Sequence, residues 1–433
     1  MEKKKVSGIL IYLFAGLIAM PAMRLYAREN NRLDLTGEWF FQMDRKDEGE
    51  QQKWFQRKLE DVINLPGSMP EKLKGDDITV RTQWTASLYD SSFFFNPAME
   101  KYRADGKVKL PFFLTPDKHY VGVAWYQKEV AIPASWNGQR VILLLERPHI
   151  ETTVWVNDQK VGMQNSLCVP HEYDITSYVQ NAGKSGKCRI SIRVDNRIKD
   201  INVGPDSHSI TDQTQGNWNG IVGRMELCAT AGTYIDDVQV FPDLSDKSAK
   251  VRVIIKSNKY KEAKGNITLS AKSFNTDKNH QVAPLSHSFQ LTDGVGETEI
   301  ILPMGRELLT WDEFSPALYR LNVLFQLEKD KGERTVEFGM REFKIQGKWF
   351  YVNGHQTMLR GTVENCDFPH TGYAPMDVES WERVFRICRS YGLNHMRFHS
   401  FCPPEAAFKA ADRVGFYLQP EGPSWPNHGP RLG

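Results

Sequence analysis

The sequence predicts a multidomain, mostly β chain: two β-sandwiches in succession, then a parallel β/α unit. Three observations carry this. From about residue 31 to 346, short apolar strands follow one another with Asn, Gly and Pro between them. After Gly347 the apolar spacing changes from strand-like to helix-like. From there strand, helix, strand, helix and strand alternate, the order that builds a parallel sheet. A length of 433 residues, with 11% aromatic and 25% charged, is ordinary globular material for two to four domains.

Taken in order, residues 1–27 read as a secretory signal: Lys3, Lys4 and Lys5 precede an apolar run over 6–20, and Ala27 is a plausible cleavage point. The run is short of the ~20 residues that span a bilayer. Export to the periplasm or beyond the cell is expected, with an uncleaved N-terminal anchor as the alternative. Cleavage would take the net charge from +2 to about −1, and no other basic run exists, so nucleic acid is not a favoured partner. The six cysteines are sparse, with neither CxxC nor metal-ligand spacing, and are expected to be mostly free thiols.

The first sandwich is built from runs such as Gly122-Val123-Ala124-Trp125-Tyr126, Thr152-Thr153-Val154-Trp155-Val156 with a turn at Asn157-Asp158, and the alternating Ile190-Ser191-Ile192-Arg193-Val194. Residues 84–117, with Phe93-Phe94-Phe95, Tyr102 and Phe112-Phe113, are too long for a hairpin loop and are expected to be an insertion with its own packing or a rim role. The second sandwich, about 234–346, has some seven strands, Lys250-Val251-Arg252-Val253 among them, and fits an immunoglobulin-like unit. Beyond it, strands are expected at Met358-Leu359-Arg360, 394–398 and 416–419, and helices at 378–391 and 404–414. An eight-unit barrel takes about 250 residues. The 85 or so present here are expected to be an incomplete unit, and a doubly wound sheet would equally need more strands.

These residues resemble glycoside hydrolase family 2. The resemblance covers nearly everything after the signal, through Tyr173-Asp174-Ile175-Thr176, Arg193-Val194-Asp195-Asn196, Asn219-Gly220-Ile221, Trp311-Asp312, Phe338-Gly339-Met340-Arg341, Val352-Asn353-Gly354 and Leu359-Arg360-Gly361. After the signal over 1–27 it implies a sugar-binding jelly roll over 28–232, an immunoglobulin-like sandwich over 233–346, and over 347–433 the first three strands of a truncated (β/α)8 TIM barrel. Asn394-His395-Met396-Arg397, Asp412 and Gly415 match the family's second-strand signature, but Ser400-Phe401-Cys402 stands where His-Tyr-Pro is usual.

The resemblance implies a retaining exo-β-glycosidase, β-galactosidase-like first, with β-glucuronidase and β-mannosidase activities open. Its two catalytic glutamates are expected beyond Gly433, so no catalytic residue is assigned within the chain, which alone is expected to be inactive. A non-catalytic carbohydrate-binding protein is the alternative. The resemblance implies that Arg397 orients the nucleophilic carboxylate, with His399 beside it and Glu421 lining the pocket; a core-edge ion pair is the structural reading of Arg397. Glu364 and Asn365 are candidate sugar contacts, and Trp425 could stack on a sugar ring. Asp212 and the run Asn217-Trp218-Asn219 are candidates on a loop over the barrel mouth, against the alternative of an Asx-bonded turn with a buried Trp. Arg360 is expected to be structural, and Arg147, His149 and His171 receive no role. Mg²⁺ or Na⁺ is implied by the resemblance only, with its ligands unknown. The expected partner is an oligosaccharide or glycan, with no stable membrane span after signal cleavage and with self-association left open.

Overall fold

The computed structural model describes residues 31–85, 91–104, 106, 108–110, 116–180, 186–198 and 207–422. The expected signal, Trp425 and Phe112-Phe113 lie outside them. No helix among the described residues is long and apolar enough to cross a membrane.

The first unit packs two antiparallel sheets face to face. One runs in the order Asp61–Leu65, Gly37–Asp44, Val123–Ala131, Lys187–Asp195, Glu151–Val156 and Gln159–Asn165. The other runs Arg32–Asp34, Gly220–Thr230, Arg140–Pro148 and His171–Asp174, with Gly67–Ser68 also on Gly220–Thr230. Between them lie Trp39, Tyr126, Leu143, Leu145, Val154, Ile190 and Ile192. Some central strands are apolar on both faces because the outer face is also covered. Trp125 and Trp155 are capped there by Trp54 and Phe55, and Phe55 stacks on Trp155 at 5.3 Å between centroids. Burial of each such side chain contributes on the order of 1.5–3 kcal/mol. The insertion after Trp84 holds a small core of its own: Phe93, Val108 and Leu110, flanked by Trp84, Met99 and Tyr102.

Seven strands form the second sandwich. Three pair in the order Thr233–Asp243, Ser248–Ser257 and Val295–Pro303; four pair in the order Gln281–Leu291, Ala263–Phe274, Leu318–Leu327 and Asp330–Phe338. The alternation read from the sequence is kept: Val251 and Val253 are buried, while Arg252 and Lys250 reach Glu297 and Glu299 on the next strand.

A three-stranded antiparallel sheet follows, Phe343–Gln346, Trp349–Val352 and His355–Thr357, with Asn353 and Gly354 both at positive φ in its tight turn. The chain then enters a parallel sheet of Gly361–Glu364, His395–Phe398 and Tyr417–Gln419. The first parallel strand therefore starts three residues later than expected: Met358, Leu359 and Arg360 link the two sheets instead. Gly361 leads the strand because a Cβ there would come within 2.4 Å of the His395 ring. The connecting helices are Val378–Ser390, capped by Asp377, and Glu405–Val414, closed by Gly415 at φ 76°. They cover one face of the sheet, burying Met396 and Phe398 with Trp381, Phe385 and Phe416. Arg397 alternates to the other face.

The amino ends of these strands are anchored on the second sandwich. Asn394 exchanges bonds with the Arg360 backbone and donates to Glu313, which also takes the Arg360 guanidinium at 3.0 Å. Arg360 is structural, as expected. Trp311, buried, packs with Leu318, Val352 and Tyr417 and reaches the Asp412 carbonyl at the end of the second helix.

Candidate functional site

At the carboxyl ends of the parallel strands three of the expected residues converge. Arg397 Nε donates to Glu421 Oε1 at 2.6 Å, and its Nη2 lies 3.3 Å from His399 Nδ1. Glu421 Oε2 accepts the Ser400 backbone N–H at 2.8 Å and faces His399 Nδ1 at 3.5 Å. Ser400 takes φ 51°, a left-handed step that turns the chain directly after the strand and aims its N–H at the carboxylate. Partial burial pushes Glu421 up, but the Ser400 amide, Arg397 and His399 together outweigh it and hold the carboxyl below its usual range. A carboxylate fixed this way is suited to orientation and not to giving up a proton as a general acid, which needs a raised pKa.

Glu364 ends the first parallel strand; its Oε1 accepts the Cys366 N–H at 2.8 Å, and its backbone oxygen takes the His399 N–H at 2.9 Å. Asn365 is exposed beside it. Asp367, two residues on, was not anticipated. Loss of surrounding water, then the Glu364 charge, push it up to about 6 against the pull of His399.

The sandwich loop over 207–219 does reach these strand ends, but through residues the sequence did not single out. His208 packs edge-on against His399 with centroids 4.5 Å apart. Ser209 Oγ donates to the Ser400 carbonyl, and Gln215 Nε2 donates to the carbonyls of both Asn365 and His399, at 2.9 and 3.1 Å. Asp212, Asn217 and Asn219 are buried and turned inward. Asp212 accepts from the backbone of Thr85 and Asn217 and faces His119 at 3.3 Å. Asn217 bonds Thr85 and Asn196; Asn219 bonds Tyr126, Gly122 and Val194. Trp218 is buried between His149, stacked at 4.4 Å, and Tyr373. All four are buried, and the three polar ones are bonded within the first sandwich.

One residue given no role proves to join the units. Arg147 donates across the interface to the Cys402 carbonyl at 2.9 Å and, within the sandwich, to the Cys168 carbonyl at 3.2 Å. His149 is fully enclosed, and burial pushes it down to about 3, a neutral ring at every ordinary pH. His171 is likewise held low, at about 4, by burial. Only its contacts betray the role of Arg147, since nothing in the local sequence pattern marks it. Among the described residues no three His, Cys, Asp or Glu side chains are placed to hold a metal ion together, so no step is derived through one.

Residues 33–231 match the model of the glycosyl hydrolases family 2 sugar binding domain, and residues 233–341 match a second model of glycosyl hydrolases family 2. The chain belongs to glycoside hydrolase family 2. Among curated members, it is 25% identical over 324 residues to a β-galactosidase of Thermoanaerobacter pseudethanolicus, covering 74% of this chain and 42% of that protein. It is 23% identical over 409 residues to a β-glucuronidase of Paenibacillus borealis, covering 90% and 59%. The chain thus spans about half the length of these relatives. A crystal structure of a family 2 member from Bacteroides cellulosilyticus superposes with a TM-score of 0.66 at 19% identity, covering 90% of this chain and 48% of that one. This likeness in fold covers more of the chain than the stretch matched by the two models.

Proposed function

We propose that this chain forms the sugar-recognition side of a retaining exo-β-glycosidase, with terminal β-galactose as the first candidate substrate and glucuronide and mannoside as the others. The βαβαβ unit is read as the opening of a (β/α)8 barrel, and the first sandwich as a jelly roll that closes over its mouth. One observation carries the proposal: Arg397, Glu421 and His399 are clustered at the carboxyl ends of parallel strands, where barrel enzymes build their sites. The 207–219 loop of the sandwich matched as sugar-binding lies directly against them.

In this reading the Arg397 fork positions a carboxylate, and Glu421 holds the fork. Glu364, Asn365 and Asp367 face the sugar hydroxyls from the first strand. Trp425 would supply a stacking face. Retention requires two carboxyl groups about 5–5.5 Å apart, one attacking the anomeric carbon and one passing the proton. Neither role is assigned to Glu421, whose pKa is depressed. The basic, apolar residues 1–27 support export.

The test is a panel of nitrophenyl β-galactoside, β-glucuronide and β-mannoside, offered to the 433-residue chain and to the product of the natural reading frame. Turnover by the latter alone, abolished in Arg397→Met, supports the proposal. Turnover by the 433-residue chain would refute the placement of the catalytic carboxylates elsewhere. Sugar binding without turnover by either would favour a carbohydrate-binding protein.

A further inference from the structure

Cys402 occupies the third position of the tripeptide that departs from the family pattern, and the structure sets a second thiol against it. Its side chain is hydrogen-bonded to that of Cys168, which comes from the turn over 166–170 in the first sandwich. Arg147 holds both backbones at once: one nitrogen binds the Cys402 carbonyl at 2.9 Å, the other the Cys168 carbonyl at 3.2 Å, while the guanidinium lies over the Phe401 ring. Ser166 Oγ accepts the N–H groups of Cys168 and Val169 and fixes the turn from the other side. All six cysteines are in the thiol form, and both of these are partly accessible.

We propose that Cys168 and Cys402 form a reversible disulfide that staples the first sandwich to the strand end carrying Arg397 and His399. The two thiols lie against each other across the interface, and the Arg147 bridge keeps the two backbones together. The reaction partner is a low-molecular-weight disulfide. Cys402 is the attacking group: the hydrogen bond from Cys168, and then the Arg147 charge, favour its thiolate against the opposing effect of burial. Cys402 Sγ bonds to one sulfur of the reagent and expels the other as a thiolate. Cys168, after losing its proton, attacks Cys402 Sγ and expels the second thiolate. Two protein thiols are oxidised, and one external disulfide is reduced to two thiols.

The inference is independent of the glycosidase reading, since it concerns thiol chemistry alone. The experiment is oxidation of the purified 433-residue chain with oxidised glutathione, followed by alkylation under denaturing conditions and peptide mapping. The expected result is loss of two of the six thiols, a single crosslink joining the peptides that hold Cys168 and Cys402, and reversal by dithiothreitol. Cys168→Ser should instead stop at a glutathione adduct on Cys402, and Cys366→Ser should form the native crosslink. Retention of all six thiols in the unaltered chain, or pairing of either cysteine with Cys366, overturns the proposal.

Discussion

The Trp311 indole donates to the main-chain carbonyl of Asp412 at 2.7 Å, so that a buried residue of the second sandwich closes the end of a helix in the parallel unit. The bond and the packing around it tie together segments that are about a hundred residues apart, so the sandwich sets the position of the strands on which the candidate site is built.

Trp311→Ala should therefore destabilise the chain by about 3–5 kcal/mol, the usual cost of emptying a large buried aromatic site. Trp311→Phe should keep most of the packing and lose about 1–3 kcal/mol for the Asp412 carbonyl left without its donor. Urea unfolding followed by hydrogen exchange should show the loss first in the helix Glu405–Val414.

The neutral, buried His149 makes the first sandwich sensitive to acid. Its folded pKa of about 3 lies below the ordinary 6.5. The unfolded chain thus takes up a proton that the fold refuses, and stability falls as pH drops from about 6.5 towards 3. His149→Gln should lower stability at neutral pH, through the lost stacking on Trp218, yet show a flatter decline between those limits. Thermal melts from pH 7 to 4 provide the comparison.

Asp367 has the opposite sign. Its pKa is raised from 3.8 to about 6, so it favours folding when protonated, and that contribution disappears as pH rises through 6. Asp367→Asn should raise the melting temperature at pH 7.5 and have little effect near pH 4. An equal shift at both values would mean that the carboxyl is not under strain from Glu364.

Gln215 ties the sandwich loop to two strand ends through one amide nitrogen. Gln215→Ala should speed amide exchange around residues 365 and 399–401 while leaving the second sandwich unchanged. Gln215→Glu should be worse, because a carboxylate would face two carbonyl oxygens. Uniform loss of protection across the chain would argue against a local clasp.

The strands were legible because alternation and apolar runs are local properties of a sequence. Val251 and Val253 fall on one face, and both sandwiches follow from many such runs. Gly361–Glu364 was not legible as a strand, because Gly, Thr and Glu carry little apolar signal, and a glycine there answers to the His395 ring on another strand. At the site, Arg397, His399 and Glu421 were found through the family pattern, and the structure brings them together. His208, Ser209 and Gln215 were missed because a loop without periodicity delivers them to partners 150 or more residues away. The run Asn217-Trp218-Asn219 shows the converse limit. Polar residues beside an aromatic have the same composition whether they face a sugar or satisfy one another, and only the positions of Tyr126, Asn196 and His149 separate the two.

The two ends of the parallel sheet are secured by different residues: Arg360, Asn394 and Glu313 at the amino ends, Gln215 and Glu421 at the carboxyl ends. Selection can therefore act on them separately. Substitutions at the mouth can change what that end of the sheet presents without disturbing the anchorage that lets the chain fold. The unusual Ser400-Phe401-Cys402 segment lies on the permissive side of that division.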